Sequence, residues 1–154
     1  MSVSDICPVC RAQPEDIFHL FTQCPELASF KASIVNMLET LFQNVSPQKL
    51  NVISIDRLII LGFQERWKCV NGYLVNFLLC VARFCIYKRR NMMLFNEGRV
   101  PILRFFKYTA EKFIKYAFSH FHSNQNIALF KKYFVNHSNY VSVAADSVRI
   151  KFDI

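Results

Sequence analysis

Four residues near the N-terminus constrain this chain more than any others. Cys7 and Cys10 enclose two residues, His19 comes after eight more and Cys24 after another four, a C-x2-C-x8-H-x4-C array. Three thiols and an imidazole complete the donor set of a tetrahedral ion and leave no position open for water. Such a site is structural, so the predicted cofactor is one structural Zn2+ on Cys7, Cys10, His19 and Cys24. The two-residue spacer lets a tight turn aim both sulfurs at one point, and Pro8 presets φ within that turn. A segment this short has too little apolar surface to fold alone. Bound zinc supplies about 10–16 kcal/mol of folding free energy in small modules.

The residues around the ligands predict how the array joins the rest of the chain. Glu15 to Phe21 reads as a short helix carrying His19, with Phe18 and Leu20 or Phe21 closing the unit. Glu15 and Asp16 fall at its start, where the helix dipole favours carboxylates. One of them, or a backbone carbonyl, is expected to orient the second ring nitrogen of His19. Pro25 then opens a second helix, in which Leu27, Phe30, Ile34, Met37 or Leu38, and Leu41 recur at spacings of three and four. The last ligand therefore immediately precedes a long helix, so the metal would set that helix's start and direction.

Beyond the break at Ser46-Pro47, residues 52–63 read two ways. Val52 to Ile55 suits a short strand, while Ser54 equally suits the cap of a helical turn from Ile55 to Leu61 stopped by Gly62. A helix from about Gly72 to Phe95 is apolar over most of its circumference, and Asn76, Arg83 and Arg90 form its only polar strip. Pro101 starts another helix, with Leu103, Phe106, Ala110, Phe113, Ile114, Ala117 and Phe121 as its apolar stripe. Ile127 to about Asn136 is a further helix. Residues 138–154 lose the helical period, and alternation at Val141, Val143, Val148, Ile150 and Phe152 predicts a terminal strand or a frayed tail.

Charge is uneven along the 154 residues. Residues 83–132 hold eleven Lys and Arg against Glu97 and Glu111, whereas residues 1–82 hold six against seven carboxylates. That middle stretch carries most of the net charge of +8. A basic stripe is the electrostatic footprint of a polyanion partner, the alternative being a solvated face that keeps an apolar protein soluble. Arg83, Lys88, Arg89, Arg90, Arg104, Lys107, Lys112 and Lys115 are the predicted phosphate contacts. Stacking of bases on Tyr108, Tyr116 or Tyr133 is compatible with this surface.

Other chemistries find little here. Cys69, Cys80 and Cys85 lie in or beside an apolar helical stretch, where cysteine packs as a small hydrophobe. With no basic start or apolar run at the N-terminus, a reducing, intracellular setting, cytoplasmic or nuclear, is expected. Tyr73 to Tyr87 is too short to span a bilayer and contains Arg83, so no membrane partner is expected. His120, His122 and His137 lack a partner set, and three glycines leave no phosphate loop. No catalytic residues are predicted.

Cys-Pro-Val-Cys, then Glu15-Asp16-Ile17-Phe18-His19-Leu20-Phe21, then Cys24-Pro25, resembles the zinc-binding segment of LINE-type (non-LTR) retrotransposon reverse transcriptases. Ile60-Leu61-Gly62-Phe63 and the stretch from Asn76-Phe77-Leu78-Leu79 to Arg90-Asn91 are similar to the region next to that segment in vertebrate elements, so the likeness spans about residues 7–95. The resemblance implies a segment at the C-terminal end of a polyprotein, after endonuclease and polymerase, that helps hold template RNA or target DNA. The chain has no room for either enzyme and no paired Asp of a polymerase palm. It is therefore expected to be a detached fragment or reading frame of such an element.

Together these readings predict a mainly α protein, a small zinc knuckle followed by a bundle of about four to five helices. The expected division is residues 1–25 for the knuckle, 26–137 for the basic helical part and 138–154 for the tail. The expected function is zinc-stabilised RNA or DNA binding without polymerase or nuclease activity. A protein-interaction module, or an unselected retroelement relic, is the alternative.

Overall fold

Long apolar arcs decide the architecture. The computed structural model describes residues 5–98 and 100–154; residues 1–4, which begin the N-terminal lead, and Arg99 lie outside them. The chain is mainly helical, with a two-stranded hairpin at its end.

Helix α1 (Ala28–Leu41) is entered through a tight turn at Pro25–Leu27. Its face of Phe30, Ile34, Met37, Leu38 and Leu41 is buried, as the three-and-four spacing predicts. A single turn, α2 (Pro47–Leu50), comes after the Ser46-Pro47 break. Of the two readings of residues 52–63, the helical one is adopted in α3 (Ile55–Leu61). Ser54 Oγ accepts from the Arg57 amide at 3.3 Å, and Gly62 ends the helix at φ 83°, where a side chain would be strained.

Helix α4 (Gly72–Leu94) is the central element. Leu74, Val75, Leu78, Leu79, Val81, Ala82, Cys85 and Ile86 are all buried. Asn71 caps it, accepting from the Leu74 amide at 3.0 Å and donating to the Asn136 carbonyl at 2.9 Å. One side chain thereby ties the start of α4 to a segment more than sixty residues downstream. Helix α5 (Ile102–Ser123) runs back along α4: Phe84 meets Phe105, and Phe77 shares a groove with Phe113. Helix α6 (Ile127–Phe130) widens into a π-turn at Lys131–Val135.

The C-terminal segment takes the strand alternative rather than the frayed one. Strands β1 (Val141–Ala144) and β2 (Ser147–Ile150) pair antiparallel, with Val141 opposite Ile150. Tyr140, Val141 and Phe152 are buried, and the Phe152 ring lies 6.2 Å from that of Phe106. Knuckle, helices and hairpin thus meet in one apolar core that runs from Cys7 and Val9 through Phe106 and Phe130 to Phe152. Burying each such large side chain contributes about 1.5–3 kcal/mol.

Three residues depart from the apolar pattern. Phe113, expected in the α5 stripe, is 54% exposed, Cys80 is exposed rather than core, and Phe18 points outward while Leu20 and Phe21 close the knuckle. Cys80 and Phe113 line an open groove between α4 and α5, which spacing along a single helix does not reveal. No helix among the described residues is long and apolar enough to cross a membrane.

Candidate metal centre

The first two ligands sit on a miniature hairpin. Ile6 and Pro14 bridge antiparallel, the Cys7 amide donates to Gln13 O at 2.9 Å, and Glu15 N to Asp5 O at 2.7 Å. The chain reverses between them through Pro8, with Arg11 N bonded to Cys7 O at 2.8 Å and Arg11 at φ 56°. This turn aims both sulfurs inward.

His19 arrives on a helical turn capped by Asp16, whose Oδ1 accepts from the His19 amide at 2.7 Å. The turn widens to a π-helix over His19–Gln23, and the Cys24 amide closes it on His19 O at 2.8 Å. Thr22 Oγ1 donates to Phe18 O at 2.7 Å within it. Widened turns of this kind recur at functional sites because the extra residue re-aims the side chains after it. Here the wider turn is what presents Cys24 beside His19.

The ligand atoms of Cys7, Cys10, His19 and Cys24 all lie within 4.8 Å of one another, and Cys10 Sγ is 3.3 Å from His19 Nε2. Cys7, His19 and Cys24 are buried, and none of the cysteines is in a disulfide. Burial pushes the Cys10 thiol up, but hydrogen bonds from the Ala12 and Gln13 backbone, with His19 and Cys7, outweigh it and bring the thiol down to about 7. Burial pushes Cys24 up to about 12, against a hydrogen bond from the Glu26 backbone, and Cys7 and Cys10 add repulsion. Three thiolates this close repel one another unless a cation lies between them. Convergent donors, backbone amides aimed at sulfur and a buried imidazole therefore fit a metal ion.

The carboxylates beside the site have other partners than the His19 ring. Asp16 is the cap. Glu15 takes the Arg90 guanidinium, with Oε1 at 2.6 Å from Nη2 and 2.9 Å from Nε. This pair, 17% and 23% exposed, fastens the knuckle to the C-terminal end of α4.

The eight predicted phosphate contacts divide three ways. Arg83 and Arg90 turn inward: Arg83 Nη1 donates to Ile59 O at 3.1 Å and Ile60 O at 3.2 Å, capping α3, and Arg90 holds Glu15. Arg89 is half-buried, and its Nε makes no hydrogen bond with any described residue. Lys88, Arg104, Lys112 and Lys115 are exposed and Lys107 is partly so. Of these five, only Lys115 forms an ion pair with a described residue, Glu111 at 3.8 Å. Of the three predicted stacking residues, Tyr108 and Tyr116 are exposed on α5, whereas Tyr133 is partly buried with its ring 4.6 Å from that of Tyr73. The sequence reading missed the exposed Phe84 and Tyr87 of α4 and Phe113 of α5, and the signal for the first two is the spacing of Tyr73, Cys80, Phe84 and Tyr87 at seven, four and three on the outer side of α4.

Comparison with protein-family models, with characterised proteins and with solved structures gives no match.

Proposed function

We propose that this chain is a zinc-stabilised nucleic-acid-binding unit without catalytic activity, related to the C-terminal segment of LINE-type reverse transcriptases. The metal is zinc: three sulfurs and one imidazole suit a borderline-soft ion with tetrahedral preference, and edges of about 3.5–3.8 Å follow from its bond lengths. Cys7, Cys10, His19 and Cys24 hold it, and with four protein ligands it has no site for substrate.

The observation that carries the binding reading is the outward group of cations. Lys88, Arg104, Lys107, Lys112 and Lys115 project from two adjacent helices that together contain a single carboxylate, Glu111. A surface of that composition attracts phosphate and releases its counterions. The retroelement reading is supported by where the non-ligand residues of the likeness sit. Glu15 and Arg90 join knuckle to α4, and Asn76 bonds both backbone groups of Phe63 at 2.7 and 2.9 Å beside Gly62. These residues hold the relative placement of knuckle, α3 and α4.

Metal analysis and RNA titration test the proposal together. The purified chain should hold one zinc per molecule, lost in Cys24→Ser, and bind RNA with an affinity that falls steeply with salt. Zinc content near zero removes the metal reading. Aggregation that added RNA does not cure favours the protein-interaction alternative, for which the apolar groove between α4 and α5 is the supporting feature.

A further inference from the structure

We infer that the α4–α5 face takes an unpaired nucleic-acid strand, with bases stacked on Tyr108 and Tyr116 and phosphates held by Arg104 and Lys112. The inference rests on the nucleic-acid function proposed for this chain and adds the strand form.

Arg104, Tyr108, Lys112 and Tyr116 succeed one another at steps of four along α5, and all four are exposed. Cation and aromatic ring therefore alternate along one ridge. Each step rises about 6 Å, comparable with the spacing of successive nucleotides in a stretched strand. Tyr108 is 62% and Tyr116 71% exposed, so neither ring serves the core.

Beside the ridge lies a groove of about 310 Å³, lined by Phe77, Cys80, Val81, Phe84, Thr109 and Phe113. Its walls offer further apolar surface for a base. A duplex turns its base faces inward, so it can use the cations of this surface but not its rings. An unpaired strand uses both, since stacking on aromatic side chains adds to phosphate contact in single-strand binders. α4 has no carboxylate, and the one on α5, Glu111, is paired with Lys115. A second copy of this chain would bring cations against cations. The competing occupant is an amphipathic helix with acidic shoulders from another protein.

The test is fluorescence anisotropy of the zinc-loaded full chain with a labelled single-stranded oligonucleotide and its blunt duplex at equal salt. A labelled acidic amphipathic peptide runs alongside. The single strand should bind at least about tenfold tighter than the duplex. Tyr108→Ala with Tyr116→Ala should weaken single-strand binding roughly ten- to a hundredfold and leave duplex binding and the salt slope unchanged. The Tyr108→Phe, Tyr116→Phe pair should restore it, and both pairs should keep the wild-type circular dichroism. Equal affinity for strand and duplex, or no loss in the alanine pair, overturns the strand assignment while leaving nucleic-acid binding standing. Saturable binding of the peptide in preference to the oligonucleotide overturns it in favour of a protein partner. Absence of binding to either nucleic acid overturns the underlying function as well.

Discussion

Two polar strips, one on each of the long central helices, look alike in sequence and do different work. On α4, Asn76, Arg83 and Arg90 stand seven apart and turn inward, to the backbone of Phe63, to the end of α3 and to Glu15 of the knuckle. On α5, Arg104 and Lys112 stand eight apart and make no ion pair with any described residue. The first strip assembles the molecule and the second leaves its charge to solvent. Residue type does not separate a structural arginine from a binding one. What separates them is whether a carbonyl or carboxylate lies within reach once the chain has folded.

Substitutions can probe this division of labour from the knuckle inward. Cys24→Ser should have the largest effect, because it removes one ligand and the residue that leads into α1. The expected loss is on the order of 5 kcal/mol or more, since bound zinc contributes about 10–16 kcal/mol in small modules. Denaturation with and without a chelator measures it, and equal stability of variant and parent would remove the metal as the anchor.

The bond between knuckle and inward strip ranks next. Arg90→Leu or Glu15→Gln should cost about 2 kcal/mol after allowance for partial exposure, because the surviving partner is left with an unmatched charge or donor. A double-mutant cycle should show strong coupling, and additive losses would mean that the knuckle docks through its apolar contacts alone. Asn76→Ala leaves the amide and carbonyl of Phe63 without their side-chain partner and should cost a similar amount, about 2 kcal/mol by chemical denaturation.

At the small end, Arg104→Gln with Lys112→Gln should change stability by no more than about 0.5 kcal/mol. A larger loss would mean that the outer strip also supports the fold.

These features differ in how legible they are in the sequence. The ligand set is legible because it is local: four residues within eighteen carry it. Helices α1, α4 and α5 are legible because their apolar residues recur at three and four over many turns. The partners of Arg83 and Arg90 lie 24 and 75 residues away, and no periodicity points to them. Apolar spacing places Phe113 and Cys80 in the core, yet both line an open groove between α4 and α5 that spacing along one helix does not reveal. The strand or helix question at residues 52–63 turned on the Ser54 cap and Gly62. Both are visible in sequence, but the β-branched residues Val52, Ile53 and Ile55 suit a strand equally well.

The most direct test of the whole account is the salt dependence of oligonucleotide binding in two double variants. In the wild type, log affinity should fall linearly with log salt. Arg104→Gln with Lys112→Gln should reduce that slope by about 1.4, two contacts at roughly 0.7 each for a single strand. Arg83→Leu with Arg90→Leu should lower stability and leave the slope of the folded protein unchanged. A wild-type slope near zero, or a slope that falls with the inward pair and not with the outward one, would contradict the account.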